Sequence, residues 1–214
     1  MSKIELEFEI KSYMKNILKK GLFSNADVIE VLIETLRYVL CEKPTKHNDT
    51  KLKIVINKMN RFFYILEKKY FSIAQPFNIV FKDEQCIIKD SMTHINIDNK
   101  VLSYLASFFE EYKNNTMLDV FTLYEQFCDD NIELSENEKN DIKIIINELI
   151  WFEYGYVRYE DDEIRENGML HPRYHLDINC LNESKYKIGV ENSIDDAWFG
   201  DCLDITKQCK VIKV

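Results

Sequence analysis

Two histidines and an aspartate crowd the string HPRYHLDIN, residues 171–179. Imidazole and carboxylate together suit zinc, manganese or iron. In an extended chain, side chains alternate between faces. His171, Arg173, His175, Asp177 and Asn179 would therefore share one face, and Tyr174, Leu176, Ile178 and Cys180 the other. Reach limits the metal chemistry. Alternate strand residues sit roughly 6.6–7 Å apart, which puts His171 about 20 Å from Asp177 in a straight strand. They could share an ion only if the chain bends at Pro172. His175 with Asp177 alone is an incomplete ligand set. The expectation is a hydrogen-bonded structural pair with no metal and no cofactor. His171, Arg173 and Arg158 are read as polar binding residues.

A second pattern overlaps the first. Asp177, Glu183 and Lys185 follow the D…E-x-K order of metal-dependent nucleases, in which two carboxylates hold Mg²⁺ and a lysine assists the attacking water. If the chain is an enzyme, its candidate catalytic residues are His175, Asp177, Glu183 and Lys185. Other chemistries are disfavoured. There is no G-x-S-x-G, and 5 glycines in all leave little for phosphate-cradling loops. A Cys180 nucleophile using His175 fails on parity, because the two are an odd number apart and point to opposite faces.

The elements that must position these residues are three strand-like runs around Val157–Glu160, Tyr174–Ile178 and Tyr186–Val190, which predict a small antiparallel sheet. Upstream, residues 4–20 have helical spacing through Ile4, Phe8, Ile10, Met14, Ile17 and Leu18. Ser24 can cap a second helix running to Cys41. A third helix is predicted over Thr50–Tyr70, with Lys51, Lys53, Lys58, Arg61, Lys68 and Lys69 on its outer side. Short runs at Phe77–Phe81, Cys86–Asp90 and His94–Asp98 predict a β-meander. Helices follow over Asn99–Tyr112, Met117–Asp129 and, with the capping box Ser135/Glu138, from there to Phe152.

These assignments give an α+β fold: a helical N-terminal region (1–75), then an α+β region (76–214) with a β-meander, a winged-helix-like segment (118–179) and a C-terminal antiparallel sheet. DNA-binding winged helices present basic residues. This one offers Glu136, Glu138, Asp141 and Glu148, with EDDEIRE at the wing tip.

Charge points the same way. The chain has net charge −9, and residues 117–166 hold 4 Lys/Arg against 15 Asp/Glu. Strong binding to duplex DNA is not expected. Residues 1–75 hold 14 Lys/Arg against 9 Asp/Glu and could meet an acidic partner. The six cysteines are scattered without a C-x-x-C pair, as reduced thiols in a cytoplasm would be. MSKIELEFEIKSYMKNILKK lacks the apolar core of a signal peptide, and no apolar run is long enough to span a bilayer. A cytoplasmic protein without membrane association is expected.

The string HPRYHLDIN, followed by YKIGV and by IDDAWFGDCLDI, resembles a C-terminal HP-x-x-HLDIN…YKIG block of uncharacterised small bacterial proteins often encoded in mobile defence islands. The resemblance covers residues 151–209 and carries no established activity. It implies a genomic setting, an anti-phage or mobile-element system. The expectation for the chain as a whole is a non-catalytic accessory subunit of such a system, whose partner would be a protein such as an ATPase or nuclease subunit. The rival expectation is a nuclease or other hydrolase using His171, His175, Asp177, Glu183 and Lys185. An exposed apolar patch would mark the subunit, and a basic approach to a metal site would mark the nuclease.

Overall fold

The computed structural model describes residues 4–45, 49–56, 58–82, 85–115, 118–181, 184–208 and 210. The fold class is α+β. The chain forms two compact units, Met1–Lys15 with Pro44–Gln75 and Tyr154–Val214, and Asn16–Lys43 with Pro76–Glu153. Residues 1–75 thus contribute to both.

The first unit is built on a seven-stranded sheet in the order β1-β2-β3-β4-β7-β8-β9. Its strands are β1 (Ile4–Glu9), β2 (Lys51–Ile56), β3 (Arg61–Ile65), β4 (Lys69–Ala74), β7 (Val157–Asp161), β8 (Tyr174–Ile178) and β9 (Tyr186–Gly189). All neighbours run antiparallel. This corrects the helical reading of the N-terminal region. The predicted helix over Thr50–Tyr70 is β2, β3 and the start of β4, and only the second half of residues 4–20 is helical, as α1 (Ser12–Leu18). The reason lies in the residue types. IELEFE and KLKIVI alternate polar with apolar, and RFFYI is aromatic and β-branched, a composition suited to a pleated surface. Their charges also match across the ladder. Lys51 Nζ lies 3.2 Å from Glu7 and 3.0 Å from Asp196, and Lys53 Nζ lies 3.4 Å from Glu5. Two lysines of the expected basic helix are cross-strand partners of the acidic residues of β1.

One cross-strand row crosses the whole sheet: Phe8, Leu52, Tyr64, Phe71, Arg158, Asp177, Lys187. It is apolar through the first four strands and charged through the last three. On the opposite face, Val55, Phe63, Ile65 and Tyr159 pack with Phe199 of α6 (Asp196–Cys202), the short helix expected near the C-terminus. Tyr174 and Leu176 join that apolar cluster.

The second unit is helical. It holds α2 (Asn25–Cys41), α3 (Asn99–Asn114), α4 (Val120–Asp130) and α5 (Glu136–Trp151), with a hairpin of β5 (Asn78–Lys82) and β6 (Gln85–Lys89). The Ser24/Asp27 and Ser135/Glu138 capping boxes both form, each satisfying amide groups that a helix start leaves without partners. The third run of the predicted meander contributes a single bridge, Asn96 to Lys89. Its core includes Leu32 and Leu36 of α2, Leu105 and Phe108 of α3, and Ile145 and Leu149 of α5.

The winged-helix order appears as α4, α5, β7 and β8, yet the helices belong to the second unit and the strands to the first. Both wing strands are interior strands of the large sheet, flanked by β4 and β9. A wing is a free hairpin, and this one is not free.

Candidate functional site

The charged end of the sheet is assembled by register. Arg158 faces Asp177, Asp177 faces Lys187, Lys69 faces Glu160, and Glu160 faces His175. The alternation expected along HPRYHLDIN is present, but β8 begins at Tyr174, and its polar face is the buried one. His175 is 0% exposed and Asp177 2%.

Each group has defined neighbours. Arg158 Nη2 bonds Asp177 Oδ2, and Arg158 Nε lies 3.4 Å from Glu160 Oε1 without hydrogen-bonding it. Lys187 Nζ stands 3.4 Å from Asp177 Oδ1, and Arg165 Nη2 3.5 Å from Glu160 Oε2. The His175 ring is fixed from behind. Its Nδ1 lies 2.8 Å from the carbonyl oxygen of Pro172, which can only accept, so Nδ1 carries the proton. Nε2 then points at Glu160 Oε2, 3.6 Å away. His175 Nε2 and Asp177 Oδ1 are buried and have no hydrogen-bond partner. Ligand atoms of Glu160, His175 and Asp177 all lie within 4.8 Å of one another.

Electrostatics follow from this packing. Burial pushes the Glu160 carboxyl up, but the nearby His175 ring, Arg158, Lys69 and Arg165 outweigh it and hold the group at about 2. Burial and the positive charge of Arg158 bring the Lys69 amine down to about 8. Burial raises the Tyr156 hydroxyl. Lys69 sits over the Phe71 ring at 5.1 Å, and Phe71 stacks on Tyr64 at 4.3 Å between centroids. An aromatic wall thus separates the charged end of the sheet from the aliphatic end.

The connector Asp162–Arg173 forms the border of the site. It bends as the sharing of His171 would require, bringing the His171 and His175 rings to 4.9 Å between centroids. His171 Nε2 pairs with Asp162 Oδ2 at 3.1 Å rather than with Asp177. Pro172 closes over Gly189, where an added Cβ would lie 3.0 Å from its Cγ. A side chain there would have to push the proline ring back by a few tenths of an ångström. Arg173 pairs with Asp161 at 2.7 Å on the outer side. Of the binding residues read from sequence, Arg158 is inside the cluster while His171 and Arg173 brace the connector.

The D…E-x-K residues are distributed differently. Glu183 lies outside the described residues, and Lys185 precedes β9. The register instead sets Lys187 against Asp177. Sequence reasoning missed Glu160, Lys187 and Lys69. Glu160 was hidden in the acidic run EDDEIRE, and its only signal was shared parity with Arg158, which pairs with Asp177. Cys180 is buried.

The tip of the same connector has another character. Ile164, Met169 and Leu170 are 97%, 96% and 85% exposed. The loop carrying them is braced: Arg165 N–H donates to Asp162 Oδ1, Arg165 Nε pairs with Asp162 Oδ2 at 2.7 Å, and Asn167 N–H donates to the His171 carbonyl at 2.8 Å. Gly168 takes a φ of +51° at the turn, the left-handed region that glycine enters without strain.

No family model matches the chain, and no curated protein or solved structure matches it.

Proposed function

We propose that this protein is a non-catalytic interaction subunit whose β7–β8 connector anchors a protein partner. The observation that carries this reading is the trio Ile164, Met169 and Leu170, held in water by a braced loop. Single exposed apolar residues are ordinary on protein surfaces; three large ones within seven positions of one connector supply the apolar surface a contact site needs. Burying each side chain in a partner is worth roughly 1.5–3 kcal/mol. Asp161, Asp162 and Glu163 beside them are paired with Arg173, Arg165 and Lys68 of the same chain, so the matching surface is in the first place an apolar socket.

The resemblance of HPRYHLDIN and YKIGV to proteins of defence islands supports placing the subunit in a bacterial anti-phage or mobile-element system, in the cytoplasm, beside an ATPase or nuclease. Among the described residues no helix is long and apolar enough to cross a membrane. The finer winged-helix reading survives only as the helix pair α4–α5, whose acidic face favours protein over duplex DNA. The nuclease alternative draws support from the closeness of Glu160, His175 and Asp177. Against it, two of these groups are almost wholly buried, and a phosphodiester in a polynucleotide needs an open approach.

The test is photo-crosslinking in the native host from a photoreactive residue at Met169. One specific protein adduct, lost when Ile164 and Leu170 are changed to serine, is expected. Full cellular activity of an Ile164→Ser/Met169→Ser/Leu170→Ser variant would overturn the reading, as would a submicromolar, sequence-selective complex with duplex DNA at physiological salt.

A further inference from the structure

We propose that Glu160, His175 and Asp177 bind one divalent transition-metal ion of the zinc class, pinning β7 to β8 beneath the connector. The sequence argument against a metal was that His175 and Asp177 make too few ligands. The sheet supplies the third, because Glu160 stands directly across from His175 in the ladder.

Three features point to an ion. The first is the histidine. His175 donates Nδ1–H to the Pro172 carbonyl at 2.8 Å, the back-side contact that orients metal-bound imidazoles and fixes Nε2 as the ligand. Nε2, buried without a hydrogen-bond partner, is left facing the Glu160 carboxylate 3.6 Å away. A cation seated between Nε2 and the carboxylate would satisfy both buried groups. The second is distance. A tetrahedral ion with bonds of about 2.0–2.2 Å holds its ligands about 3.3–3.5 Å apart; His175 Nε2 lies 3.6 Å from Glu160 Oε2, and the three ligand atoms together lie within 4.8 Å of one another. The third is the division of labour on each carboxylate. Arg158 takes Asp177 Oδ2 and faces Glu160 Oε1, which leaves Oδ1 and Oε2 toward the ion. Asp177 Oδ1 is buried and has no hydrogen-bond partner. Asp177 is thus held from behind by Arg158, as ligands of a metal site usually are by a supporting group.

The neighbouring positive charges set the conditions of binding. Arg158 stays where it is, bonded to Asp177 and within ion-pair distance of Glu160. Lys187 and Arg165 approach the ligand oxygens themselves, at 3.4 and 3.5 Å, with side chains 29% and 66% exposed. Both can swing into solvent, and both compete with the ion. One imidazole and two carboxylates favour zinc, manganese, iron or cobalt over soft, thiolate-seeking ions. With His175 and Asp177 buried, the site is closed, so the ion constrains the fold and performs no chemistry on a substrate. The proposal stands independently of what the connector tip binds.

The experiment titrates the full chain, stripped with a chelator and kept reduced, with Zn²⁺ and with Co²⁺. One equivalent is expected to bind saturably, and the Co²⁺ form should show ligand-field bands without sulfur-to-metal charge transfer. Glu160→Gln, close in shape to the native residue, should weaken binding at least about tenfold, the scale seen even for supporting groups around a metal. Lys187→Ala and Arg165→Ala should each tighten it, which no merely structural ion-pair cluster would do. His175→Ala should abolish binding in protein that circular dichroism shows to be folded. Absence of saturable binding, a sulfur charge-transfer band, or unchanged affinity in Glu160→Gln would each overturn the proposal.

Discussion

Each unit buries acidic groups, and the two solve the problem with opposite means. In the sheet unit, Asp177 and Glu160 are met by Arg158, Lys69 and Lys187, all delivered by strand register. In the helical unit, Asp90 is 0% exposed and interacts with another acid, Glu148. Asp90 Oδ2 instead accepts from Met92 N–H at 2.9 Å, Thr93 N–H at 2.6 Å and Thr93 Oγ1 at 2.9 Å. Burial pushes the Asp90 carboxyl up, but Glu148 and these donors outweigh it and hold it below its ordinary value. Burial and the neighbouring Asp90 drive Glu148 up to about 7. A ladder can place a countercharge opposite any residue. A turn after a strand has only its own amides and a shared proton to offer.

Four measurements sharpen or break that contrast. The largest effect should come from Arg158→Met, which strands two carboxylates without their main cation. Removing one partner of a buried pair costs about 3–5 kcal/mol, read by denaturant unfolding, and a loss below about 1 kcal/mol would show that Lys187 and Lys69 suffice. Next is Asp90→Ala, which leaves the Met92 and Thr93 amides without their acceptor. A cost of about 1–3 kcal/mol is expected for such stranded donors; an unchanged midpoint would mean that water replaces the carboxylate.

Glu148 supplies the pH test. Its folded pKa is raised, so its contribution to stability is complete below about 4.5, the unfolded value, and is lost as pH rises through about 7. Unfolding midpoints should fall between pH 5 and 8, by about 1–2 kcal/mol after allowance for its partial exposure. Glu148→Gln should flatten that slope. A slope that persists in the variant would assign it to another group. The smallest effect belongs to Ile164→Ser/Met169→Ser/Leu170→Ser. These side chains touch mostly water, so each change should alter stability by no more than about 0.5 kcal/mol. A larger loss would place the tip in the fold rather than at a partner's disposal.

Local signals were legible wherever the structure depends on neighbours in sequence. Ser24, Ser135 and the apolar periodicities of α2, α3 and α5 announced their helices, because caps and stripes are written within one or two turns. The three C-terminal strands were legible from alternation alone. Residues 51–70 were not. Leu52, Val55, Ile56, Met59, Phe62 and Phe63 fit a helical stripe as well as they fit three short strands. The choice was made by β1, whose Glu5 and Glu7 meet Lys53 and Lys51 across about 45 residues of chain.

The sequence by itself therefore determined that His175 and Asp177 share a face, that Cys180 does not join them, and that the chain mixes helices with antiparallel strands. Only the tertiary structure decided that this polar face is the buried one, that Glu160 and not His171 completes the trio, and that Lys187 rather than Lys185 faces Asp177. The physical reason is register. Side-chain parity is fixed along one strand, but which residue lies across from it depends on how two strands slide. A connector of a dozen residues between β7 and β8 leaves that slide open until the rest of the sheet is in place.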